Sequence, residues 1–111
     1  FIDRSQIEQV LINLLKNAEE ACAEQPNPVV KITTSYLKEK HLLLISVSDN
    51  GCGILPDVQE KIFVPFFTTK QKGSGIGLSL CKQIMSLHGG SISVKSEEGV
   101  GSTFTLKFVC R

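Results

Sequence analysis

Residues 48–54, Ser48-Asp49-Asn50-Gly51-Cys52-Gly53-Ile54, read SDNGCGI and follow the apolar run LLLISV at 42–47. Asn-Gly behind a strand is the strongest short signal for a hairpin. A hairpin needs a strand to pair back with, however, and Ile54-Leu55-Pro56 offers none. The other reading is the wall of a binding site. Asp49 is a short carboxylate at a strand end, where it can accept a hydrogen bond from an exocyclic amine such as adenine N6. Gly51 and Gly53 let a flat ring lie against backbone where a Cβ would clash. The choice between the two rests on whether the rest of the chain supplies the remaining parts of a site.

Upstream, Val29 to Leu37 alternates with Val30, Ile32, Thr34 and Tyr36 on one face. The run at 42–47 is more uniformly apolar, as a central strand is. Lys38-Glu39-Lys40-His41 is a polar turn between them, so the pair is antiparallel. Residues 4–24 carry Ile7, Leu11, Leu14, Ala18 and Ala21 at helical spacing. Ser5 with Glu8 has capping-box spacing, and Asp3 is an equally good cap. Gln25-Pro26-Asn27-Pro28 stops that helix. Downstream, Pro56 opens a short amphipathic piece through Ile62, and 63–77 has no period. A second helix spans about 78–87 and ends at His88-Gly89-Gly90, a glycine C-cap. Ser91 to Ser96 and Thr103 to Val109 alternate as strands around the turn at 97–101, a second hairpin. The order α-β-β-(short α)-loop-α-β-β groups strands in hairpins, which predicts an α+β sandwich rather than a Rossmann sheet.

One domain of 111 residues buries enough surface to fold without disulfide or metal. Twelve basic and eleven acidic residues are well mixed, so there is no basic stripe for nucleic acid. No apolar run approaches the ~20 residues that span a bilayer, and no stretch reads as a signal peptide. Cys22, Cys52, Cys81 and Cys110 are too dispersed for a CxxC metal half-site and are read as reduced thiols of a cytosolic domain. The chain opens on Phe1 rather than Met and is read as a piece of a longer protein.

Three further constellations bear on the opening question. On the first helix, Asn13 and Asn17 lie one turn apart at the shoulder of the apolar arc, with Glu20 continuing the polar edge. Two asparagines in mid-helix are either merely solvated or functional, and in the second case the Asn17 amide oxygen helps hold Mg²⁺, a hard cation that bridges phosphates. The aperiodic stretch contains IFVPFF (62–67) and then Thr68-Thr69-Lys70; part of it anchors a loop, and Lys70 can swing onto a phosphate as part of a lid. GSGIGLSL (73–80) follows a loop rather than a strand, which rejects a dinucleotide fingerprint. It opens a helix, so Gly73, Gly75 and Gly77 present backbone N–H groups at a positive helix end suited to phosphates. A metal ligand, an adenine acceptor, a lid and a phosphate cradle in one short chain make Asp49–Gly53 a site rather than a turn.

These stretches resemble the catalytic, ATP-binding domain of two-component sensor histidine kinases, in the superfamily shared with gyrase, Hsp90 and MutL. QVLINLLKNAEEA (9–21) is similar to the N box, DNGCGI (49–54) to the G1 box, IFVPFFTTK (62–70) to the F box and GSGIGLSL (73–80) to the G2 box. HGGSISVKSEEGVGSTFTLKF (88–108) resembles the tail, and the short lid resembles the nitrogen-regulation type. The resemblance implies a Bergerat fold, a mixed sheet covered on one face by about three helices, over the whole of 1–111. It places Asn17 on Mg²⁺, Asp49 on adenine N6, Gly51 and Gly53 against the base, Lys70 on the phosphates, and Gly75 and Gly77 at the phosphate end. Ile54, Phe66, Thr69, Gly73, Ser74, Ile76 and Leu78 are the other nucleotide contacts it implies within these boxes. Asn13 and Lys70 are implied as catalytic. Asn13 stands where gyrase-like ATPases carry a water-activating glutamate; an amide is no general base, so phosphoryl transfer is favoured over rapid hydrolysis.

The resemblance further implies a cytoplasmic domain, with a parent protein anchored in the inner membrane in some members. Its partners are a dimerisation domain that carries the phosphoacceptor histidine and makes the full-length protein a homodimer, and a cognate response regulator; the piece itself is expected to be monomeric. His41 and His88 are the two histidines present, neither is followed by an acid, and both are read as structural. The alternatives are an ATPase module whose hydrolysis drives a clamp and a degenerate nucleotide-binding interaction module.

Overall fold

The computed structural model describes residues 3–65 and 77–110. Helix α1 spans Arg4–Cys22. Asp3 is its N-cap, accepting a hydrogen bond from the Gln6 backbone N–H at 3.2 Å, so of the two caps legible in the sequence this one is used. Strands β1 (Val30–Leu37) and β2 (Leu42–Asp49) follow, joined by a single 3-10 turn in which His41 takes a left-handed conformation. Helix α2 is one turn, Pro56–Gln59, and α3 spans Gly77–Leu87. Strands β3 (Ser91–Glu97) and β4 (Gly101–Val109) complete the order.

The glycine end of α3 has a specific geometry. The Gly90 N–H reaches back to the Met85 carbonyl at 2.8 Å and the Gly89 N–H to that of Ser86 at 3.1 Å. With Gly89 at φ 70, these bonds form a Schellman cap. His88 ties the two helices: its Nε2 accepts the Asp3 backbone N–H at 3.0 Å, while Nδ1 lies 2.8 Å from the Ile84 carbonyl. That pairing requires the proton on Nδ1, and it makes His88 structural.

The described strands form one sheet in the order β1-β2-β4-β3, and every pairing is antiparallel. The expected mixed sheet is therefore corrected within these residues. The segment through α3 delivers β3 in the same direction as β2, but β4 inserts between them, so no parallel pair forms. The α+β class holds, with the helices on one face.

Register explains the two faces. Val47 lies opposite Phe104, Ile45 opposite Leu106 and Leu43 opposite Phe108, all toward the helices. The alternate rows, Ser46 with Thr105 and Ser48 with Thr103, hydrogen-bond through their hydroxyls at 3.0 and 2.9 Å on the open face. The core packs Val10, Leu14 and Ala18 of α1 and Cys81, Ile84 and Met85 of α3 onto Val47, Phe104, Leu106 and Phe108. Leu14 is wholly buried, so Leu14→Ala should cost about 3 kcal/mol in urea-induced unfolding. Strand β1 keeps its alternation, since Ile32 lies opposite Val47 and Tyr36 opposite Leu43. Yet the helices cover the sheet mainly over β2, β4 and β3, and Ile32 and Tyr36 remain 51% and 53% exposed.

Candidate nucleotide site

Asp49 is the last residue of β2, paired with Val30 on one side and Ser102 of β4 on the other. The strand thus fixes its backbone while its half-buried side chain leaves the sheet at its end. Its Oδ1 accepts the Gly51 N–H at 2.9 Å, and the Ser102 backbone N–H also donates to the carboxylate. Two oxygens offer about four acceptor positions, so capacity remains for an incoming donor. Burial holds this carboxyl above the usual aspartate range, against the two backbone N–H groups that pull it down. A carboxylate kept partly desolvated at a strand end is a candidate for binding rather than for stability.

Beside it lies an open groove of about 490 Å³. Apart from Asp49 and Gln59 of α2 its lining comes from the β3–β4 hairpin, residues 94–97 and 100–103. Of the described site residues expected from sequence it includes Asp49 but not Asn13, Asn17, Ile54, Gly77 or Leu78. Asn50 has a different task. Its Oδ1 accepts the Val29 N–H at 2.9 Å and its Nδ2 donates to the Asn27 carbonyl at 2.8 Å, clipping the α1–β1 loop to the end of β2.

The two glycines read as ring contacts have another reason to be glycine. A Cβ on Gly51 would run into the Ala21 carbonyl of α1 and lie 2.9 Å from Asp49 Oδ1. A Cβ on Gly53, which sits at φ 77, would meet the Glu97 carbonyl oxygen and lie 2.8 Å from its carbon. Both demands come from protein backbone: Gly51 lets α1 approach, and Gly53 lets the β3–β4 hairpin dock. The hairpin is pinned further by the Gly99 N–H donating to the Cys52 carbonyl at 2.8 Å.

Asn13 is half-buried at the α1–α3 contact, with Nδ2 3.8 Å from Cys81 Sγ and Oδ1 accepting from Gln9 Nε2 at 3.3 Å. Asn17, one turn on, is also half-buried on α1. Ile54 and Leu78 pack against the core, which gives each a structural task of its own. Gly77 begins α3, and among the described residues a Cβ there would meet nothing within 4 Å. Phe66, Thr69, Lys70, Gly73, Ser74, Gly75 and Ile76 lie outside the described residues. Sequence reasoning did not single out Gln59, Ser96 or Ser102. For Ser96 and Ser102 a signal existed: each puts a hydroxyl on the face where its strand otherwise sends Ile92 and Val94 or Phe104 and Leu106 inward.

The architecture is that of histidine kinase catalytic domains. The nucleotide-free catalytic domain of the histidine kinase ThkA superposes with a TM-score of 0.83 at 41% identity, over 97% of this chain and 68% of that one. Full-length ShkA, solved in complex with AMPPNP, matches with a TM-score of 0.82 at 28% identity, over 96% of this chain and 22% of that one. Residues 2–110 match the family model described as histidine kinase-, DNA gyrase B-, and HSP90-like ATPase, and the chain belongs to that family. The signal transduction histidine-protein kinase AtoS of Escherichia coli K12 is 45% identical over 104 residues. That match covers 94% of this chain but 17% of AtoS, so the chain corresponds to one domain's length of a much longer relative. No helix among the described residues is long and apolar enough to cross a membrane.

Proposed function

We propose that this domain binds Mg²⁺-ATP with the adenine amine on Asp49. In a longer protein it passes the γ-phosphoryl group to a histidine of a separate dimerisation domain, from which a response regulator takes it. The Pγ–O bond to ADP breaks, an N–P bond to imidazole forms, and the imidazole gives up its proton. The observation that carries the reading is the partly desolvated Asp49 carboxylate, held by the Gly51 and Ser102 N–H groups with acceptor capacity to spare at the end of β2. The AMPPNP complex of ShkA supports adenine nucleotide as the ligand. Neither histidine here suits the acceptor role: both His88 ring nitrogens are engaged, and His41 sits in the β1–β2 turn.

Among the described residues no three His, Cys, Asp or Glu side chains converge on a metal site. In this reading Mg²⁺ would be held chiefly by phosphates and water, with the Asn17 amide oxygen as a hard protein ligand. Bound Mg²⁺ would neutralise charge on the phosphates. Lys70 and the backbone of Gly73, Gly75 and Gly77 are the groups this reading assigns to those phosphates. Asn13 supports transfer over hydrolysis, because its amide has no basicity with which to activate water.

Calorimetric titration of ATP and GTP into the domain tests the reading, with saturable, ATP-selective binding expected. A folded domain that binds neither would overturn it. In Asn17→Ala the Mg²⁺ dependence should vanish, so that ATP titrations in excess Mg²⁺ and in EDTA coincide, while binding of ADP in EDTA is unchanged.

A further inference from the structure

Ser96 lies near the end of β3, half-buried on the helix-facing side, and its hydroxyl is saturated. It accepts the Ile54 backbone N–H at 2.7 Å, donates to the Gly101 carbonyl at 3.1 Å and lies 2.8 Å from the Ser102 hydroxyl. A hydroxyl has one donor and two acceptor positions, so the geometry uses all three when Ser102 donates to Ser96. Ser102, 5% exposed, is the one polar residue fully buried among those described, and its backbone N–H holds the Asp49 carboxylate. Gln59 closes the arrangement from α2: its Nε2 donates to the Ile54 carbonyl at 2.9 Å and to the Ser96 carbonyl at 3.2 Å. Ile54 therefore has its N–H and its carbonyl both fixed by side chains, one from β3 and one from α2. Two stretches far apart in sequence meet at Ser96: the β3–β4 hairpin that carries it, and residues 54–59, whose Ile54 N–H reaches the hydroxyl and whose Gln59 side chain reaches the backbone carbonyl.

We propose that Ser96 is a positioning residue for base recognition: through Ser102 and Ile54 it sets where the Asp49 carboxylate and the adjoining loop stand relative to the groove. The proposal rests on the nucleotide reading above and adds the part that aims its recognition group. Alanine at 96 removes the acceptor for the Ile54 N–H and the partner of the buried Ser102 hydroxyl together, freeing the loop and the hairpin to slide past each other. Threonine keeps the hydroxyl on the same Cβ. The affected quantity is selectivity for the 6-amino group, because that group is what Asp49 reads.

The test titrates ADP and the diphosphate of purine riboside, which lacks the 6-amino group, into wild type, S96A and S96T, with thermal unfolding measured on each. If wild type binds ADP no better than the deamino analogue, the adenine reading itself fails. Given wild-type selectivity, S96A should bind ADP about tenfold more weakly and lose most of its preference over the analogue, with S96T within about threefold of wild type. An S96A protein that melts earlier but keeps the wild-type ratio of the two affinities has lost stability only, and that result overturns the proposal. Should S96A fail to fold, Gln59→Leu, which releases the Ile54 and Ser96 carbonyls and so loosens the same junction while leaving the hydroxyl in place, should lower the same ratio; an unchanged ratio there overturns it equally.

Discussion

Asp49→Asn should abolish most adenine-nucleotide binding while leaving the unliganded domain folded. The carboxylate already accepts two backbone N–H groups, from Gly51 and Ser102, and has room for a third donor. An amide has one acceptor oxygen, so with asparagine at least one of the three donors faces another donor. Losing a hydrogen bond to a charged group costs about 1.5–3 kcal/mol, which is about 10- to 100-fold in affinity. Calorimetric titration of ADP reads this directly, with wild-type affinity in the variant removing Asp49 from the site. The pH dependence has a definite sign. Burial raises the folded-state pKa of Asp49, so the folded domain binds this proton more tightly than the unfolded chain does. The stability linked to Asp49 is thus fully present below the ordinary aspartate range and is lost as pH rises through the raised value. Nucleotide binding runs the other way, strengthening as the carboxylate ionises through that same raised value. In Asp49→Asn both pH steps should disappear. A group whose charged form costs the empty fold and serves the ligand marks a site.

Gly53→Ala should be strongly damaging to the fold near Asp49. The residue sits at φ 77, where an L side chain costs about 1–2 kcal/mol. Its Cβ would also press on the Glu97 carbonyl group and lie 3.0 Å from the Glu98 Cα, and backbone cannot step aside as a flexible side chain can. Overpacking of this kind adds about 1–3 kcal/mol, so a total of about 2–5 kcal/mol is expected in denaturant unfolding. Gly99→Ala is the matched control. It has φ 81 but nothing within 4 Å of its Cβ, so it should cost only the conformational part, about 1–2 kcal/mol. Equal losses at the two positions would show that hairpin docking contributes nothing. Nucleotide affinity should fall with Gly53→Ala, because the hairpin carries Ser102, and stay close to wild type with Gly99→Ala.

The sequence by itself determined the elements and pointed to the proposed recognition group. Periodicity placed α1, both hairpins and α3 to within two residues at each end. His88-Gly89-Gly90 announced the end of α3, and an aspartate behind an apolar strand with no return strand is what motivates the proposed site. These signals are local: caps, turns and alternation are satisfied by hydrogen bonds and contacts within a few residues. Tertiary structure decided what no short window holds. It put β4 between β2 and β3, removing the expected parallel pair, and left Ile32 and Tyr36 of β1 largely in the open although their alternation promised burial. It also gave Gly51 and Gly53 a packing reason to be glycine, against the backbones of Ala21 and Glu97, and gathered Ile54, Gly101 and Ser102 around the Ser96 hydroxyl with Gln59 on the Ser96 carbonyl. Alternation states which side chains share a face, whereas what covers that face, and which distant carbonyl needs a glycine to let it pass, are settled only when the layers pack.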